Sequence, residues 1–156
     1  MIERGAQAKA AAPAPPDPAL IEAPRGAITF FYYDDLPAAA AFYREVVGLP
    51  AAFDADWCVI FELGAGGARL GLVNAVAGSQ RPVAGPNKGT ILSLEVDSVE
   101  ACLDRLKRLG AAPPGARLQD GFAGRTREFK LKDPGGYTVE FFSWSSGAGL
   151  WSPILA

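Results

Sequence analysis

Residues 28–50 read ITFFYYDDLPAAAAFYREVVGLP, a strand running into a helix. Gly26 to Tyr33 is rich in β-branched and aromatic residues, which suit a pleated, half-buried surface. Asp34 and Asp35 then offer an N-cap, and Pro37 fits a first helical turn. Leu36, Ala40, Tyr43 and Val47 recur at helical spacing, and Gly48 closes the helix. Two strands are predicted next, near Trp57–Leu63 and Ala68–Asn74, joined by Gly64-Ala65-Gly66-Gly67. That glycine run feeds no helix, so it reads as a hairpin turn and not as a phosphate loop.

The same order then recurs. Thr90 to Val96 is predicted as a strand, and Asp97 with Glu100 has capping-box spacing. Val99, Leu103, Leu106 and Leu109 form the buried stripe of a helix that Gly110 ends. Thr126 to Lys132 alternates, with Arg127, Phe129 and Leu131 on one side. Asp133-Pro134-Gly135-Gly136 turns the chain, and Tyr137 to Phe142 returns as the last strand. Asp35 and Asp97 open equivalent helices 97 − 35 = 62 residues apart. A repeat of this size implies two similar modules, each with an unclosed sheet face. The predicted fold is therefore α+β, two paired βαβββ modules at 25–74 and 89–144, joined by a linker at 75–88. An Ala/Pro-rich arm (1–24) precedes them. A tail (145–156) follows, in which Trp151, Ile154 and Leu155 read as apolar anchors for a neighbour.

Composition narrows the function. With 49% hydrophobic and 21% charged residues, the 156-residue chain reads as a globular protein with a proper core. A net charge of −2 argues against nucleic acid as a partner, because phosphate binding needs a basic excess. No apolar run approaches the length of a membrane span, and the arm lacks the apolar region of a signal peptide. Cys58 and Cys102 lie in apolar stretches without CxxC spacing, so buried, reduced thiols and a cytoplasmic location are expected. The chain contains no histidine. It thus lacks the commonest ligand for catalytic transition metals and the commonest acid/base group near neutral pH, and a serine triad in its usual form is excluded.

The doubled order, the 28–50 stretch with Asp35-Leu36 and Phe42-Tyr43, and KLKDPGGYTVEFF at 130–142 together resemble the vicinal oxygen chelate superfamily. This is the glyoxalase, bleomycin-resistance and extradiol-dioxygenase group, and the resemblance spans about residues 26–144. It implies a cleft between paired sheets, a divalent metal held by residues from four strands, and frequent homodimers. Carried onto this chain, the four ligand positions fall on Ile28, Gly71, Ile91 (or Thr90, one residue earlier) and Glu140. Only Glu140 keeps a ligand-type side chain. One carboxylate does not hold a catalytic metal, so no metal and no other cofactor is expected.

Strand alternation places the candidate site. If Tyr137, Val139 and Phe141 pack under the helices, Thr138, Glu140 and Phe142 face the cleft. By the same rule Ile28, Phe30 and Tyr32 enter it from the opening strand, and Arg69, Gly71 and Val73 from the fourth. Trp57 and Phe61 are expected to line another wall, although their apolar strand hides its phase. A carboxylate among aromatic rings needs a partner, and Arg69 is the expected partner of Glu140. Glu95, sharing a face with Ile91 and Ser93, could join Glu140 in a carboxylate site for a hard cation. Asp54 and Asp56 read as loop acids, and Lys130 and Lys132 as a solvated strand face.

Three functions remain open. The first is metal-free binding of a small aromatic or amphipathic molecule in the cleft, by Phe30, Tyr32, Trp57, Phe61, Arg69, Glu140 and Phe142. The second is a glyoxalase- or dioxygenase-like enzyme with Glu140 as catalytic base or with an atypical metal site. The third is a structural or regulatory dimer whose cleft is filled. A homodimer that binds neither nucleic acid nor membrane is the expected assembly.

Overall fold

The computed structural model describes residues 24–145. The expected arm and tail, including Trp151, Ile154 and Leu155, lie outside the described residues except for Pro24 and Ser145. The first module runs β1 (Ala27–Tyr33), α1 (Leu36–Ala41), β2 (Ala51–Ala55), β3 (Cys58–Glu62) and β4 (Ala68–Asn74). The second runs β5 (Ile91–Glu95), α2 (Val99–Arg108), β6 (Gln119–Gly121), β7 (Thr126–Lys132) and β8 (Thr138–Trp144). The two sheets share one order, β1-β4-β3-β2 and β5-β8-β7-β6. In each, the first strand lies parallel to the last and the others are antiparallel. The repeat seen in the sequence is therefore a repeat of topology.

Local chemistry explains the helix ends. Asp35 caps α1 by accepting from the Ala38 N–H at 3.0 Å. Beyond Ala41 the helix continues through Phe42–Val47 in wider i→i+5 turns and stops at Gly48. Arg105 of α2 donates to the carbonyls of Val46 (2.5 Å) and Glu45 (3.0 Å), satisfying acceptors at that helix end and tying the modules together. The cap of α2 is Ser98, whose hydroxyl accepts from the Ala101 N–H, and not the expected Asp97. Extended backbone persists one residue further than the spacing implied. The expected strands missed β2 and β6. The first, AAFDA, is poor in strand-forming residues, and the second has only three residues.

One face of each sheet packs against the helices in a shared core. Phe31 and Tyr33 of β1, Val59 and Phe61 of β3, and Leu70 and Leu72 of β4 are buried there with Phe129, Leu131, Val139 and Phe141 of the second sheet. Each large side chain removed from water contributes on the order of 1.5–3 kcal/mol. Phe31 stacks on Tyr137 with ring centroids 4.1 Å apart, joining β1 to the start of β8.

The Asp133-Pro134-Gly135-Gly136 turn is the polar lock of this junction. Asp133 is buried, and its Oδ2 accepts from the hydroxyls of Tyr33 (2.5 Å) and Tyr43 (2.9 Å), both from the first module. Its Oδ1 accepts from the Tyr137 N–H at 2.8 Å. Burial, followed by the neighbouring phenol and the Asp133 charge, pushes the Tyr33 hydroxyl far up; burial and Asp133 do the same for Tyr43. Both phenols stay protonated and donate. Gly135 lies flat on the Tyr33 ring, where a Cβ would come within 2.6 Å of Cε1. Gly136 has φ +84°, a left-handed value that glycine adopts without steric cost.

Candidate functional site: a charged, aromatic cup on the second sheet

The outer face of the second sheet holds an open cavity of about 390 Å³. Alternation supplies its floor: Thr126, Glu128 and Lys130 point out of β7 because Phe129 and Leu131 point in. Glu140 and Phe142 point out of β8 because Val139 and Phe141 point in. Ser93 of β5 sits directly opposite Glu140, and Lys130 of β7 flanks Glu140 on the other side. Aromatic walls rise around this floor. The Phe142 and Trp144 rings meet edge to face at 5.6 Å, as do Phe122 and Trp144 at 5.9 Å. Phe122 and Ala123 both hold positive φ, 45° and 55°, in the turn that carries Phe122 to the rim. Arg125 lies over the Phe122 and Trp144 rings at 5.9 Å from each centroid.

The floor is a connected polar network. Lys130 Nζ donates to Glu128 Oε1 at 2.5 Å and pairs with Glu140 Oε2 at 2.8 Å. Thr126 donates to Glu128 Oε2 at 3.1 Å, and Ser93 to Glu140 Oε1 at 2.5 Å. Burial acts to raise the Glu128 carboxyl, but hydrogen bonds from Lys130 and Thr126 outweigh it and hold the group below its ordinary 4.5. Hydrogen bonds to Glu128 and then Glu140 push the Lys130 ammonium above its ordinary 10.5.

These shifts set a pH window. A depressed carboxyl stabilises the fold above its unfolded value, and the contribution is lost as pH falls through the lower folded value. A raised ammonium stabilises below its unfolded value, and the contribution is lost as pH rises through the higher folded one. The melting temperature is therefore expected to hold a plateau between about pH 5 and 9 and to fall in acid. Scanning calorimetry of wild type against Lys130→Met checks the assignment. An acid limb that is the same in both would remove Lys130 from the account.

The structure does not bring the expected site residues together in one place. Glu140 and Phe142 are in the cup. Ile28 and Phe30 lie on the open face of the other sheet, more than 40% exposed, with Phe30 over Gly71, its register partner. Tyr32 lines a separate cavity of about 300 Å³ beside the 82–88 segment, and its hydroxyl lies 3.4 Å from Ser79. Trp57 sits in the β2–β3 turn, half exposed, with its ring 6.2 Å from that of Phe53. Phe61 is fully buried against Tyr43 of the Phe42–Val47 segment and lines no cleft. Arg69 is not the partner of Glu140: it pairs in register with Ile28 and Glu62 on the first sheet, and Lys130 takes its expected role. Lys130 is exposed, as expected of a strand-face lysine, and it is also paired with Glu128 and Glu140. The second carboxylate is Glu128 and not Glu95, which lies opposite Phe142 on β5. Asp54 pairs with Arg44. Phe122, Thr126, Glu128, Lys130 and Trp144 were missed, although the alternation applied to β8 would have placed three of them if extended to β7.

The doubled βαβββ topology, with a polar cluster on one open sheet face, defines a class of α+β proteins built on paired modules. The family model for the Glyoxalase/Bleomycin resistance protein/Dioxygenase superfamily matches residues 27–141, and the chain belongs to that superfamily. Among solved structures, it is similar to a lactoylglutathione lyase from Agrobacterium tumefaciens, with 26% identity and a TM-score of 0.59, covering 74% of this chain and 90% of that one. A glyoxalase/bleomycin resistance protein/dioxygenase from Nocardioides matches at 21% identity and a TM-score of 0.60, covering 86% and 93%. The bleomycin-binding protein of bleomycin-producing Streptomyces verticillus, solved with copper(II)-bleomycin, matches at 21% identity and a TM-score of 0.58, covering 80% and 100%. No curated protein matches the chain.

The residues here do not fit the metal that the superfamily resemblance implies. Ile28, Gly71 and Ile91 have no ligating atoms, and both oxygens of Glu140 already accept from Ser93 and Lys130. Among the described residues, no three Asp, Glu or Cys side chains gather as metal ligands would.

Proposed function

We propose that this protein binds a small aromatic or amphipathic molecule in the second-module cup, without a metal. The observation that carries the reading is the cup itself: about 390 Å³, walled by Phe122, Phe142 and Trp144 over a charged floor. Apolar walls with a few convergent polar groups are what orient a drug-sized ligand. Glu140 and Phe142 are its polar anchor and its wall. The cavity lies on one sheet and not across both modules, so Phe30, Ile28 and Ile91 remain as exposed apolar residues on the open faces. A second copy of the chain covering them accounts for that exposure, and light scattering at micromolar concentration tests it.

A thermal-shift panel of aromatic amines, aromatic acids and neutral aromatics is the direct experiment on the pocket. Compounds that stabilise the wild type are expected to lose at least about tenfold in affinity in Phe142→Ala, since a stacked aromatic wall contributes more than about 1.4 kcal/mol. Hits that bind Phe142→Ala and Glu140→Gln unchanged would move the site elsewhere. The likeness to a lactoylglutathione lyase keeps an enzymatic reading in view. Both Glu140 oxygens already accept from Ser93 and Lys130, so a substrate proton would have to share the carboxylate with these donors. Turnover abolished by Glu140→Gln in a folded protein would reverse the order of the two readings.

A further inference from the structure

Four carboxylate oxygens line the floor of the cup, and three side chains donate to them. Lys130 serves Glu128 Oε1 at 2.5 Å and Glu140 Oε2 at 2.8 Å, Thr126 serves Glu128 Oε2 at 3.1 Å, and Ser93 serves Glu140 Oε1 at 2.5 Å. We propose that Lys130 is the resident cation of this site: its ammonium, clamped between Glu128 and Glu140, fills the place at which Glu140 would otherwise recruit a divalent ion.

The clamp follows from strand geometry. Lys130 and Glu140 are directly opposed across the β7–β8 ladder, and Glu128 lies two residues earlier on the same face as Lys130. A lysine between two carboxylates on one pleated face reaches both by lying along the sheet. The Lys130 side chain is 36% exposed, whereas those of Glu128 and Glu140 are 9% and 14% exposed, so the acids are the shielded members and need a counter-charge. A divalent ion here would sit beside a fixed positive charge and would find two carboxylates already hydrogen-bonded. Hard cations require six or more oxygen ligands. Upward displacement of the Lys130 proton affinity by its two carboxylate partners keeps the ammonium charged through the neutral range. Gly121 on the neighbouring strand β6 leaves room for the arrangement, since a Cβ there would collide with the Glu128 carboxylate.

This inference concerns the cup of the proposed function and supplies a reason for its metal-free part. Its test needs no organic ligand, so a failed ligand screen and a failed cation test are separate results. Lys130→Ala removes the ammonium and leaves a space the shape of propylammonium. Propylammonium or Mn²⁺ at millimolar concentration is expected to raise the melting temperature of Lys130→Ala by about 2–4 °C beyond any effect on wild type. The gain should vanish in Lys130→Ala/Glu140→Gln. In wild type, electron paramagnetic resonance should show no Mn²⁺ binding that depends on Glu140. The proposal is overturned if wild type binds one Mn²⁺ per chain and Glu140→Gln abolishes it. It is equally overturned if folded Lys130→Ala responds to neither cation more than wild type does. Should Lys130→Ala fail to fold, Lys130→Ser provides the same reading.

Discussion

Replacing Asp133 by alanine is expected to cost about 3–5 kcal/mol of stability. Three donors lose their acceptor at once: the Tyr33 and Tyr43 hydroxyls and the Tyr137 N–H. Both phenols are buried, at 2% and 0% exposure, so water does not replace the missing oxygen without disrupting the packing. The lost bonds join residues 100 and 90 positions apart, so the damage falls on the junction between modules and not on one turn. For a chain of this length the melting temperature should drop by roughly 10 °C. Asp133→Asn keeps one acceptor oxygen and should lose about half as much. Tyr33→Phe and Tyr43→Phe should each cost about 1–2 kcal/mol, and less than their sum when combined, because they share one acceptor. Urea unfolding reads all four. An Asp133→Ala protein within 1 kcal/mol of wild type would show that the junction is held by its apolar contacts alone.

The same turn shows what a sequence carries and what it omits. Asp133-Pro134-Gly135-Gly136 is legible as a turn from its residue types. That Asp133 bonds two tyrosines about a hundred residues away is not, because nothing local fixes a partner from another module. Strand phase behaves in the same way. On β8, Val139 and Phe141 alternate with Thr138, Glu140 and Phe142, so the side of the strand that Glu140 occupies is readable, and it faces away from the core. On β3, CVIFE is apolar on both faces: Cys58 and Val59 are both buried, which removes the contrast that would reveal the phase. Arg69 was a reasonable partner for Glu140 only while the two sheets were imagined face to face. The register instead provides Lys130 as the direct cross-strand neighbour. Lysine on a strand is usually solvated, so the residue type gives no sign of this pairing, which only the register position reveals. Phe122 was out of reach for another reason, since it stands outside any alternating strand in a turn with left-handed backbone.

Phe61→Ala is the second large effect, and it separates a core residue from a ligand contact. Phe61 is fully buried, its ring 6.0 Å from that of Tyr43 and 5.8 Å from the Arg44 guanidinium. Truncation leaves a cavity beside Tyr43 that neighbouring side chains can fill only partly, so about 3–5 kcal/mol should be lost. Tyr43 touches this ring and also donates to Asp133, so the loss should couple to that of Asp133→Ala instead of adding to it. Ligand affinity in the cup should be unchanged wherever the variant is still folded, because Phe61 lies on the other sheet and faces the core. Trp57→Ala provides the contrast. Its side chain is half exposed in a turn, and it should cost less than about 1 kcal/mol. Denaturant unfolding of both variants, followed by ligand titration at a temperature where each is folded, reads the two quantities independently. A Phe61→Ala protein of near wild-type stability but weakened ligand binding would return Phe61 to the pocket and reverse the phase of β3.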